Sequence, residues 1–212
     1  MKSEKVLEML EQDRIEELKE LIRIEVYNDS LKLKPGAKQR FSAMKRYFKY
    51  TDSGIEYLTK PAIVNFEGED HASFCNSYSL ALTKESTGPI ELFEDMDRYP
   101  KVVGDLIKYD GVCDEIDFNT SLAAAKSQGY KLTKKEVNHG FKYVFKYNET
   151  YFKVGLFDIT YNIINDGGKA TIYHKGKNYP MTIITDIGKA VVMPVRLAGK
   201  ASDGDNFIVI EL

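Results

Sequence analysis

Near the start of the chain, Val6, Leu7, Leu10, Ile15, Leu18, Leu21 and Ile22 recur at helical spacing among charges, which predicts helix from residue 3 to about 27. Asp13 is placed to cap a second helix there, with Glu16 completing a capping box. Lys34-Pro35-Gly36 breaks the pattern. Another helix is expected over 37–50, with Phe41, Met44 and Phe48 as its apolar stripe and Asp52-Ser53-Gly54 as its stop. The period then changes. Ile55 to Phe66 and Ser73 to Leu82 read as strands of a hairpin around the polar turn Glu67-Gly68-Glu69-Asp70. Residues 87–109 are mixed, punctuated by Gly88-Pro89 and Tyr99-Pro100.

Ser121 to Gln128 reads as a short helix ended by Gly129. Phe141 to Val154 reads as two strands around Asn148-Glu149, and Phe157 to Asn165 as a short helix stopped by Asp166-Gly167-Gly168. Three strands follow, Ala170 to Lys175, Met181 to Thr185 and Ala190 to Leu197, and Asn206 to Leu212 adds a last apolar stretch. Hairpin-length turns imply antiparallel pairing. The expected class is α+β, with antiparallel sheets and short helices on one side. Helix-then-strands occurs twice, which hints at a two-fold internal repeat. Residues 1–36 would form a helical extension and 37–212 one domain.

Composition narrows the class. The chain has 212 residues, 43% of them hydrophobic, enough for a sizeable core without disulfides. Cys75 and Cys113 have no paired spacing and read as small hydrophobes of a reducing compartment. No apolar run approaches the roughly 20 residues of a membrane span. The acidic start does not fit a targeting peptide, so a cytoplasmic, non-membrane protein is expected. Net charge is only −2, but charge is segregated. From Leu31 to Thr51 there are seven bases and no acid, and Phe118 to Lys135 is a second acid-free stretch.

The C-terminal part carries a resemblance. Phe157-Asp158-Ile159-Thr160-Tyr161-Asn162-Ile163-Ile164, then KATIYHKGKNYPMTIITD, then Val192-Met193-Pro194-Val195-Arg196-Leu197 resemble the last part of the bacterial DNA sliding clamp, the DNA polymerase III β subunit. Weaker matches lie upstream in the family's order. Phe74-Cys75-Asn76-Ser77-Tyr78-Ser79-Leu80-Ala81 resembles a clamp strand end, with Asn76 in place of an acid and Tyr78 in place of a histidine. Arg98-Tyr99-Pro100 resembles the family's inter-domain linker, and Ala43-Met44-Lys45-Arg46 a clamp helix. The resemblance covers roughly residues 37–197, and the piece from Ala198 to Leu212 departs from it. A bacterial clamp chain has three such domains and closes a ring as a dimer. This chain has room for one, or one and a half, and a homo-oligomer is the corresponding expectation. The reduced size would suit a phage or mobile element.

The resemblance implies a non-catalytic replication accessory that holds double-stranded DNA without reading it, through cations on helices facing phosphates. Lys38, Arg40, Lys45, Arg46, Lys49, Lys126 and Lys131 are the candidates, with a solvated lysine face as the bland alternative. It also implies a groove for a clamp-binding peptide of a replication protein. By position, one wall would be Cys75, Asn76, Tyr78 and Leu80, and the other Val191, Met193, Pro194, Val195 and Arg196. Pro89-Ile90-Glu91-Leu92-Phe93 itself resembles such a peptide.

Other readings are an interaction adaptor of the same fold without DNA binding, and a small metal-dependent nuclease built on Glu91, Glu94, Asp95 and Asp97. The nuclease reading lacks an acid-then-lysine strand pattern. His71, His139 and His174 have no ligand spacing, and a His71–Cys75 pair would stand about 13 Å apart along a strand. No glycine-rich phosphate loop is present, and neither cofactor nor metal is expected.

Overall fold

The computed structural model describes residues 3–12, 14–32, 34–51, 55, 58–97, 99, 104–198 and 206–212. The expectations at Asp13, at Asp52-Ser53-Gly54, and at Arg98 and Pro100 lie outside the described residues. The N-terminal helical pattern divides into α1 (Ser3–Glu11) and α2 (Ile15–Ser30). Glu16 and Glu17 sit in the first turn of α2, where the helix dipole favours acids. The Tyr27 ring of α2 meets Phe41 of α3 (Ala37–Tyr50) edge-on at 5.1 Å. The bounds of α3 match the expected 37–50.

The expected hairpin is a three-stranded meander. It comprises β1 (Ala62–Phe66), β2 (Glu69–Cys75) and β3 (Ser79–Thr83). Between β1 and β2 the chain turns on Glu67 and Gly68 alone, both at positive φ (54° and 84°), which suits the twist of a two-residue hairpin loop. Between β2 and β3, the Asn76 side-chain oxygen accepts the amides of Tyr78 (2.7 Å) and Ser79 (2.8 Å). That local turn splits the single strand expected over Ser73 to Leu82.

The rest of the chain supplies β4 (Val112–Ile116), α4 (Phe118–Ser127), α5 (Lys134–Val137), β5 (Tyr143–Tyr147), β6 (Thr150–Lys153), α6 (Val154–Ile164), β7 (Ala170–His174), β8 (Met181–Thr185), β9 (Gly188–Val192) and β10 (Ile208–Glu211). Among the described residues, ten strands form two sheets. The larger has the order β1-β2-β3-β9-β8-β7-β4 and is antiparallel throughout. The smaller has the order β10-β5-β6, and β10 runs parallel to β5, a pairing that hairpin turns alone did not predict. The fold class is α+β, as expected from the pattern.

Strand alternation sorts side chains between two cores, one on each face of the large sheet. Ala81, Ala190, Val192, Ile172 and Ile183 belong to the inner core that contains α6, whereas Leu80, Leu82 and Val191 belong to an outer core with Leu58, Ala62, Tyr99 and Ile107. Every residue of α6 is buried, as its all-round apolar sequence VGLFDITYNII demands. It lies on β3 and β9, and α3, α4 and α5 pack around it.

The unit helix-plus-meander occurs as α3 with β1–β3 and as α6 with β7–β9, and the two meanders meet at β3 and β9. A two-fold repeat is not established by this, because β4 flanks β7 and no strand of the described residues flanks β1 on its outer side. The strand expected over Ala190 to Leu197 ends at Val192. Met193 N–H donates to Tyr78 O (2.9 Å), still in the large sheet, and Val195 N–H donates to Tyr151 O (2.8 Å), in the small one. Pro194, which has no N–H to give, occupies the crossing.

Candidate functional site

The exposed side of α3 is basic. Lys38, Lys45 and Lys49 share one solvent face, and Arg46 lies beside it toward α4. Ala37, Phe41, Met44 and Tyr47 take the opposite side into the core. The Lys45 ammonium lies 4.6 Å over the Phe41 ring, so its stem covers apolar surface while its charge stays in water. None of these four cations forms an ion pair with a described acid.

Arg40, counted with them in the sequence, is a correction. It is buried, donates to Pro35 O and Asn165 O (both 3.0 Å), and its guanidinium lies 3.8 Å from Glu85. The helical period puts it among Ala37, Met44 and Tyr47, so it ties α3 to the end of α6.

The second basic stretch meets the first. Lys126, in the last turn of α4, and Arg46 flank a cleft of about 280 Å3 whose walls include Gln39, Ser42 and Leu132. Lys131 is exposed beyond the helix. The floor is Asp158 and Asn162 of α6. Tyr130 Oη donates to Asp158 (2.9 Å), Asn162 Nδ2 donates to its other oxygen, and Gln39 Nε2 donates to Asn162 Oδ1 (2.6 Å). Burial pushes the Asp158 carboxyl above its ordinary range, and the Tyr130 hydroxyl and the charges of Lys126 and Arg46 partly oppose this.

The two walls expected for a peptide groove are neighbours, because β3 pairs with β9. Their side chains do not make one groove. Cys75, Leu80 and Val191 belong to the outer core, where burial pushes the Cys75 thiol up to about 11. Asn76 is buried and closes its turn. Tyr78 and Met193 are open to solvent, 48% and 39% exposed. The recess beside Asn76 and Tyr78 has only about 10 Å3. Next to it the Lys153 ammonium lies 5.4 Å from the Tyr78 ring and 4.9 Å from Phe141, and burial lowers its pKa.

Pro194, Val195, Arg196 and Leu197 instead line a separate cleft of about 520 Å3. Its further walls are Lys146, Glu149, Thr150 and Tyr151 of the β5–β6 hairpin, and Lys177 and Asn178 of the turn after β7. Nothing in the sequence linked that hairpin to 194–197. The link is the isolated β-bridge between Val195 and Tyr151.

The remaining candidates are dispersed. His71 and Cys75 are both buried on β2. Glu91, Glu94, Asp95 and Asp97 are exposed, and among the described residues no three His, Cys, Asp or Glu side chains are grouped to hold a metal. In the segment that resembled a clamp-binding peptide, Ile90 packs on the inner core and Phe93 on the outer one, 6.2 Å from the Tyr99 ring. No described helix is long and apolar enough to cross a membrane. No family model, no curated protein and no solved structure matches the chain.

Proposed function

We propose that this chain is a non-catalytic, sliding-clamp-like accessory protein that holds duplex DNA against α3. The observation that carries the reading is the solvent face of α3, where Lys38, Lys45, Arg46 and Lys49 stand without an ionic partner among the described residues. Lys126 continues that face across the cleft, so cations from two separate acid-free stretches of sequence converge. A long basic face without grooved base-reading elements suits phosphate contacts that are indifferent to sequence. The paired helix-plus-meander units and their antiparallel junction at β3 and β9 support the clamp-like part of the reading. The test is duplex binding at low salt. The triple variant Lys38→Glu, Lys45→Glu, Lys49→Glu should abolish it, and each lost phosphate contact should flatten the salt slope by about one unit. Unchanged binding would return the face to solvent.

A second reading, docking of a partner's peptide, draws on the cleft beside Pro194 to Leu197, whose volume suits one or two side chains of a peptide. A fluorescent peptide with a Leu-Phe anchor should then bind in the micromolar range, about −8 kcal/mol. Arg196→Glu should weaken it while Met193→Ala leaves it within about 0.5 kcal/mol, since Met193 is not among the cleft's walls. Equal affinity in Arg196→Glu would rule out this cleft.

A further inference from the structure

We infer that the cleft between α3, α4 and α6 binds a small phosphomonoester that also carries an amino or amide donor, a compound of the nucleoside monophosphate class. The rim of the cleft is cationic. Arg46 and Lys126 come from different helices, both are exposed, and neither is paired with a described acid. A guanidinium and an ammonium facing one space are suited to hold the oxygens of one phosphate group.

The floor has the opposite chemistry. Asp158 is only 4% exposed, and both of its oxygens accept hydrogen bonds, one from Tyr130 and one from Asn162. That is the pattern of a carboxylate, and each oxygen keeps a further lone pair. The Ser42 hydroxyl and the Gln39 side-chain oxygen stand on the wall without a hydrogen-bond partner among the described residues, and Ala43, Leu132 and Ile159 add apolar contact. An inorganic anion would satisfy the rim and be repelled by the floor. A purely cationic ligand would do the reverse. A molecule with an anion at one end and N–H donors at the other satisfies both, and the volume of about 280 Å3 suits a metabolite-sized molecule.

This goes beyond the duplex reading and does not depend on it, although Arg46 and Lys126 would serve in both. The test is calorimetric titration of the full chain with adenosine monophosphate, inorganic phosphate and adenosine as separate probes. The monophosphate should bind well below millimolar, with each of the other two at least tenfold weaker by roughly the worth of a charged hydrogen bond. Arg46→Ala and Lys126→Ala, both at the exposed rim, should each weaken it roughly tenfold to a hundredfold. Asp158→Asn should weaken the monophosphate and strengthen inorganic phosphate, a change of opposite sign that loss of folding cannot produce. The Lys38→Glu, Lys45→Glu, Lys49→Glu variant should keep full affinity, which separates this site from the duplex face. The inference fails if no probe binds by about 10 mM, or if phosphate binds as tightly as the monophosphate. It also fails if Arg46→Ala changes nothing, or if a single-stranded oligonucleotide outcompetes the monophosphate through these same residues.

Discussion

Arg40 and Arg46 stand on the same helix and have opposite fates. The composition of 31–51 marks both as basic, but the helical period assigns Arg40 to the side of Met44 and Tyr47, and burial then makes it a tether. Arg40→Ala would leave the carbonyls of Pro35 and Asn165 without this donor and the Glu85 carboxylate with only the Lys34 ammonium, so a loss of about 3 kcal/mol is expected in denaturant unfolding. Arg40→Lys should not restore it, because a single ammonium lacks the second nitrogen that faces Glu85 while the first serves both carbonyls. His174 offers a second test. It is buried between Tyr147 and Phe152, and neither ring nitrogen has a partner at full hydrogen-bond geometry among the described residues. Burial lowers its pKa below the ordinary 6.5, with the nearby Tyr179 main chain partly offsetting this. The unfolded chain therefore takes up a proton first. The stability that the neutral ring contributes is complete above about pH 6.5 and is lost as pH falls from there through the lowered folded value. Melting curves at about pH 7.5 and 5.5 should differ more for the natural chain than for His174→Phe.

At the level of elements, what the sequence made legible was whatever depends on near neighbours. The bounds of α3, the β5–β6 hairpin around Asn148, and β8 over Met181–Thr185 follow from period and turn residues that lie side by side. β4 was missed because Val112-Cys113-Asp114-Glu115-Ile116 presents an exposed edge with no buried alternation. α5 was missed although its signal is present. Thr133 and Glu136 have capping-box spacing, and the Thr133 hydroxyl does accept the Glu136 amide at 3.3 Å. The expected start of α6 at Phe157 was late by one turn, since Gly155 reads as a breaker. Its actual reason is proximity. A Cβ on Gly155 would come 2.6 Å from the Glu136 carbonyl group, so α5 and α6 touch backbone to backbone. Gly155→Ala should lower stability by about 1–3 kcal/mol, the range for overpacking, despite alanine's better helix propensity. A neutral or stabilising result would mean that α5 shifts freely.

For the whole molecule, the parts that sequence reasoning could not reach are those built from distant segments. The two walls that the resemblance implied lie on paired strands, but which of their side chains face out depends on pleat register against β9. The cleft at Pro194 to Leu197 required the β5–β6 hairpin, and the α3–α4–α6 cleft required Asp158, an acid inside an apolar helix. The crossing from Met193 to Val195 also joins the two sheets through one amide each. Val195→Pro removes the amide that reaches Tyr151. Hydrogen exchange should quicken in β6 while β3 stays protected, and equal loss in both would mean that the sheets open as one unit.

The junction of β3 with β9 has a kinetic meaning. Each meander closes by short turns, so β1–β2–β3 and β7–β8–β9 can zip locally and early. Their union pairs Ala81 with Ala190 across about half the chain, and that loop entropy must be met before the pairing is rewarded. The central seam of the sheet is therefore the step most sensitive to delay during folding. Until it closes, β3 and β9 are both open edges, each able to add a strand of the wrong molecule.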